Sequence, residues 1–282
     1  MKKVIITADS TCDLSEQLIK QYDIRIAPLG VSLGDHSGFD GVDVTPEAIY
    51  DYVKQTGVLP KTYACTIDRY SEVFRSVRDE GFECVHVSIS SGFSCTFQNA
   101  CLAADEFDGV RVVDSLNLST GSGLVVLEAA IKAQEGWNAD EIYNYATALT
   151  SKVDASFVLD DLKYLVKGGR CSAAAALGAN LLKLKPCIEV KEGKMGVGKK
   201  YRGTMQAVVR QYTKERLSQP GVKYKRDRVF VTHTKMDEGL AEIMIEEVKA
   251  SGLFDEIIET TAGCTVTSHC GPNTIGVLFI KE

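Results

Sequence analysis

Ser90, Ser91, Ser94 and Thr96 crowd around Gly92, while His269 lies far along the chain in a second run rich in Gly, Ser and Thr. Hydroxyls are neutral hydrogen-bond donors, and an imidazole is a donor or base near neutral pH. The first group follows a strand-like run at 84–89 and precedes a helix-like run at 97–104. A strand that turns at once into a helix points free N–H groups outward, and the helix dipole reinforces them, so the turn suits a carboxylate or phosphate. Gly92 would let the backbone come close to such a ligand. The same residue types also make an ordinary helix cap. The turn alone leaves both readings open. Lys61 and Thr62, after Pro60, can reach an anion as well, though capping and solvent contact explain them more simply. His269 is read in a tight turn immediately after a strand, flanked by hydroxyls, a setting that favours a functional donor or base.

The elements that must hold these residues alternate. Apolar strand-like runs at 3–7, 24–29, 84–89 and 111–115 are separated by helix-like runs at 14–22, 67–80, 97–104 and 119–135, and a helix opens at Thr45-Pro46-Glu47. Ser10, Thr11 and Asp13 are candidate caps for the helix at 14–22. Strands ending in Ser, Thr or Asp and alternating with helices describe a parallel sheet, with ligands gathered at the carboxyl ends of its strands. Residues 34–41 read as a glycine- and acid-rich loop, and their spacing does not fit an EF-hand. After residue 150 the rhythm changes. A strand at 155–159 leads to Gly168-Gly169-Arg170, a small-residue helix at 173–182, and a hairpin at 187–197, read as the first antiparallel pair. Helices at 205–217 and 238–250 and strands at 229–232, 257–260 and 277–280 complete a mixed half. The expected fold is α/β: a three-layer α/β/α domain over 1–155 with a mainly parallel sheet, and a two-layer domain over 156–282 with a mixed sheet.

Composition narrows the function. The chain has 282 residues, 45% of them hydrophobic, and a net charge of −6, which argues against nucleic-acid or anionic-membrane binding. No apolar run approaches the ~18 residues of a membrane helix, and the N-terminus lacks a signal-peptide core, so a cytoplasmic protein is expected. The nine cysteines are scattered and form no CxxC, and only four histidines accompany them. Metal and disulfide roles are therefore set aside in favour of small core residues. No cofactor is expected, and no Walker A motif is present.

Read together, the turns resemble the DegV family of fatty-acid-binding proteins, the B component of bacterial fatty acid kinase. The resemblance rests on Asp9-Ser10-Thr11-Cys12-Asp13-Leu14, Pro60-Lys61-Thr62, Ile89-Ser90-Ser91-Gly92-Phe93-Ser94, Val113-Asp114-Ser115, Lys167-Gly168-Gly169-Arg170, Leu184-Lys185-Pro186 and Ser268-His269-Cys270-Gly271-Pro272, in that order. It implies a long acyl chain, such as palmitate or oleate, in the cleft between two domains. It also implies a carboxylate held by Thr62, Ser94 and His269, with Ser91 a further choice, and Arg170 touching the phosphate or the kinase. A separate ATP-binding kinase subunit would then convert the bound acid to an acyl phosphate, so that this chain is a carrier without catalytic machinery of its own. Two departures bear on the head-group end of the pocket: Tyr63-Ala64-Cys65-Thr66 replaces the usual Ser-Gln-Pro-Ser, and Cys95 stands at a usually small position. Two other classes stay open: a serine hydrolase using Ser94 and His269, and a small-ketone-binding relative of dihydroxyacetone kinases. The apolar helix expected at 173–182 favours a greasy pocket over the latter.

Overall fold

A computed structural model describes residues 3–176 and 184–282. Four parallel strands form the first sheet, in the order Arg25–Ala27, Val4–Asp9, Glu83–Ser88 and Val110–Asp114. Every residue of Val4–Asp9 is buried, as a strand covered on both faces requires. Helices Ile67–Asp79 and Thr96–Ala104 pack on one face, and Ser119–Gln134 and Ala139–Thr150 on the other. This is the expected three-layer arrangement.

The second sheet is mixed and six-stranded. Its order is Lys194–Tyr201, Lys185–Lys191, Val153–Leu159, Thr274–Lys281, Tyr224–His233 and Glu256–Thr261, with only the last two neighbours parallel. Helices Met205–Arg216 and Leu240–Ser251 cover one face around Val208, Tyr212 and Met244. The opposite face turns towards Ser119–Gln134, whose residues from Ser119 to Ala130 are all buried. One apolar cluster therefore runs from Ile6 and Val85 of the first sheet through Leu124 and Leu127 to Phe230 and Leu278 of the second. A helix buried between two sheets must lack a polar face, and this one keeps a single acid. Glu128 is held there by Arg228 at 2.7 Å, Lys225 at 2.7 Å and the Tyr145 hydroxyl at 2.8 Å, the full pairing a buried carboxylate needs. Strand Val153–Leu159 spans the expected 155/156 boundary and belongs whole to the second sheet.

Three details of the sequence reading change. Residues His36–Phe39 are a strand, paired antiparallel with Gly30–Leu33, which also pairs with Lys61–Tyr63. This third sheet precedes the hairpin of Lys185–Lys191 with Lys194–Tyr201, so that hairpin is not the first antiparallel pair. The helix expected at 14–22 is Glu16–Gln21, and Ser15 caps it by accepting from the Leu18 amide at 3.3 Å, rather than Ser10, Thr11 or Asp13. Of the helix expected at 173–182, Ser172–Ala175 is helical and residues 177–183 lie outside the described residues.

Candidate functional site

His269 sits on a helix, Cys264–Cys270, and not in the expected turn. Helix-terminal amides need acceptors, and no residue near Gly263 in sequence supplies one. Asp40 does so from just past the strand His36–Phe39: one carboxylate oxygen accepts from Cys264 N at 2.7 Å and the other from Thr265 N at 3.0 Å. Asp13 accepts from Gly263 N at 2.9 Å and from the Ser119 hydroxyl at 2.5 Å. Burial and the neighbouring Asp40 push the Asp13 carboxyl up to about 7, although Ser119 and the Gly263 amide work against that rise. Asp9 ties the parallel strands at their carboxyl ends, accepting from Ser88 Oγ at 2.7 Å and Ile89 N at 2.8 Å. The Asp9-to-Asp13 run is thus a structural hub beneath the site. No local pattern announces this, because Asp40 and Cys264 are separated by 224 positions.

The helix presents His269 to the strand Lys61–Tyr63, where Thr62 Oγ1 lies 2.8 Å from His269 Nε2. The imidazole Nδ1 is buried with no hydrogen-bond partner among the described residues. Burial, followed by the positive charge of Arg170, pushes the His269 pKa down to about 4, so the ring is neutral at physiological pH. A cavity opens beside this pair, lined by Thr62, Ser94, His269 and Arg170 together with apolar residues that include Phe93 and Met195. Its space not occupied by protein atoms is ≈ 530 Å³. Tyr63 and Ala64, from the divergent segment, line it too. Thr66 of that segment caps the helix Ile67–Asp79, accepting from Arg69 N at 3.3 Å.

Ser94 faces the cavity from just ahead of a helix. Its hydroxyl lies 2.6 Å from Thr96 Oγ1 and accepts from Thr96 N at 3.2 Å, starting the helix Thr96–Ala104, while the residue also faces the cavity. Ser91 is not among the lining residues, and its amide is turned to the Asp114 carboxylate at 3.2 Å. Ser90 is buried and donates to the carbonyl of Gly193 at 2.8 Å. What comes close to Gly92 is therefore the chain itself, since a Cβ at 92 would meet the Gly193 carbonyl oxygen at 2.3 Å. This contact latches the hairpin of the second sheet onto the serine turn of the first. Arg170 is exposed at the rim, donating to Gly168 O at 2.7 Å.

A second, tighter cavity lies between Ser119–Gln134 and the mixed sheet. Leu118, Val266 and Cys270 line both cavities, and Phe157, Val190, Ala262 and Leu278 extend the apolar wall of the second. Hydroxyls and an imidazole thus line the first cavity, and a mainly apolar cavity adjoins it.

A fold and cavity of this kind define an α/β protein with a candidate site where its sheets meet. The family model described as "Uncharacterised protein, DegV family" matches residues 3–282, and the chain belongs to the DegV family. A DegV domain-containing protein of Clostridium acetobutylicum is 33% identical, with 100% of each chain covered. A protein of Thermotoga maritima named as a fatty acid-binding protein is 30% identical over 97% of this chain and 96% of its own. A solved structure of a DegV family protein from Thermus thermophilus, described by its fatty acid binding, superposes with a TM-score of 0.89 at 30% identity, with 100% of both chains covered. No helix among the described residues is long and apolar enough to cross a membrane.

Proposed function

We propose that this chain binds one long-chain fatty acid, carboxylate at Thr62, Ser94 and His269 and tail in the apolar cavity beyond. The observation that carries the reading is that two cavities adjoin across Leu118, Val266 and Cys270, the first lined by Thr62, Ser94 and His269 and the second mainly apolar. The fatty acid binding of the Thermotoga and Thermus relatives supports it. Burying about fourteen methylenes contributes ~11 kcal/mol gross, before ordering and desolvation costs are subtracted. A buried carboxylate needs partners; the Ser94 hydroxyl and the hydrogen-bonded Thr62–His269 pair, which keeps one donor free, supply them, with Arg170 at the rim. The ligand is held without a strong fixed charge, as a carrier that must release its cargo requires.

The same reading has the carrier present the carboxylate, near exposed Arg170, to a separate ATP-dependent kinase subunit. That subunit moves the γ-phosphoryl group of ATP onto a carboxylate oxygen, giving acyl phosphate and ADP. The hydrolase alternative finds no support in the geometry: Ser94 Oγ is bonded to Thr96, and His269 Nε2 to Thr62. The mainly apolar second cavity offers a small ketone little to bind.

Denaturing extraction of the purified protein, followed by mass spectrometry, tests the binding. Close to one fatty acid per chain is expected; an empty protein that takes up neither hexadecanoic nor oleic acid would overturn it. Acyl hydroxamate formed with hydroxylamine, ATP and the cognate kinase subunit tests the presentation, and its absence with lipid-loaded protein would end that part of the reading.

A further inference from the structure

The tail cavity has an open cleft as its neighbour across Val190. Along strand Val153–Leu159 alternate residues share a face; Phe157 and Ala155 line the tail cavity, and the next residue on that face, Val153, lines an open cleft of ≈ 900 Å³. Half-buried Val190, the register partner of Ala155, lines both spaces. On the facing segment, Leu118 and Ser119 border the tail cavity, and Leu116 and Asn117 border the cleft.

Asn117 stands at the junction. Its side chain is buried, its Nδ2 donates to Ser115 O at 3.2 Å, and its Oδ1 has no partner among the described residues. A Cβ placed on Gly121 would lie 2.9 Å from that oxygen and 3.1 Å from Ala155 Cβ, so the orphan carbonyl and the wall of the tail cavity flank one spot. A buried acceptor without a donor is costly unless a ligand or water completes it. An unused buried acceptor close to the wall of the tail cavity, on a residue that lines an open cleft with Lys191 and Glu192, suits a chain whose far end carries a donor.

Resting on the fatty-acid reading, we propose that the acyl passage is open at both ends, with a second mouth between Asn117 and Val190, and that the protein accepts long-chain acids bearing a hydroxyl at or near the far end. The hydroxyl donates to Asn117 Oδ1 or reaches the cleft.

Binding of hexadecanoic acid, ω-hydroxyhexadecanoic acid and decanoic acid to the delipidated full chain tests this. The two sixteen-carbon acids are expected to bind within about threefold of each other, because the hydroxyl is not left unpaired. A closed apolar end would bury that hydroxyl without a partner and weaken the hydroxy acid by roughly 5- to 150-fold, which would overturn the proposal. Val190→Trp, plugging the junction, is expected to weaken both long acids at least tenfold and to spare decanoic acid. Loss of decanoic acid binding as well would show a general collapse of the pocket, and the comparison in the unmodified chain then decides. If no fatty acid binds the unmodified chain at all, the carrier reading fails first, and the second mouth with it.

Discussion

Gly168 is where it is because of His269: a Cβ at 168 would lie 2.3 Å from the imidazole Nδ1. The glycine of the Gly-Gly-Arg turn and the histidine of the last helix are thus two halves of one contact, with Thr62 closing on the opposite ring nitrogen at 2.8 Å. The bulk of a single methyl would push the ring off Thr62. Gly168→Ala is expected to weaken hexadecanoic acid binding about tenfold, in line with the cost of overpacking a filled site. Isothermal titration checks it, and unchanged affinity would mean that the ring is free to move.

Asp40 holds the helix that carries His269 by its first amides, at 2.7 and 3.0 Å. Asp40→Ala leaves those buried donors without an acceptor and is expected to cost about 1–3 kcal/mol of stability. Asp40→Asn keeps one acceptor oxygen and should lose less. Chemical denaturation of the two variants gives the order, and an Asp40→Ala protein as stable as the parent would show that the helix needs no remote cap.

Thr62 and Ser94 are expected to separate when mutated. Thr62→Val keeps the shape and removes one hydroxyl, so it should weaken fatty-acid binding by about 1 kcal/mol with a smaller effect on melting. Ser94→Ala removes a head-group donor and the acceptor of the Thr96 amide together, adding roughly 0.5–1.5 kcal/mol of lost stability. Melting curves with and without lipid distinguish them. Equal loss of stability in the two variants would contradict the double role of Ser94.

The two buried titrating groups act in opposite directions with pH. The unfolded chain protonates His269 near 6.5, whereas the folded ring stays neutral down to about 4. Its contribution is therefore complete above 6.5 and is lost as the pH falls towards 4, to an extent of about 1–3 kcal/mol. Asp13 is ionised near 3.8 when unfolded and near 7 when folded, so its contribution declines as the pH rises through that interval. His269→Gln should flatten the acid-side loss and Asp13→Asn the neutral-side loss, as read from melting temperature against pH. A His269→Gln profile parallel to the parent would show that the ring is not held neutral.

Much was legible in the chain alone. Alternating strand and helix patterns defined the parallel sheet, because a strand buried on both faces is uniformly apolar and its polar end stands out. Thr45 and Pro46 marked a helix start, and Lys191-Glu192-Gly193-Lys194 between two short apolar runs marked the hairpin, because these signals are local. Thr62, Ser94, His269 and Arg170 could be picked out as an ordered set of turns, and the fold gathers them around one cavity.

Other features belonged to the tertiary structure. His269 lies on a helix whose amides are satisfied by Asp40 and Asp13 from distant segments, so no neighbouring residue could reveal it. Gly92 and Ser90 make a contact with Gly193, and the Ser91 amide donates to Asp114. The short strand His36–Phe39 exists only because Gly30–Leu33 offers it an edge. Residue types and periodicity specify what a segment can do with its neighbours in sequence. Which distant carbonyl, carboxylate or methyl meets it is decided when the two sheets close on the helix between them.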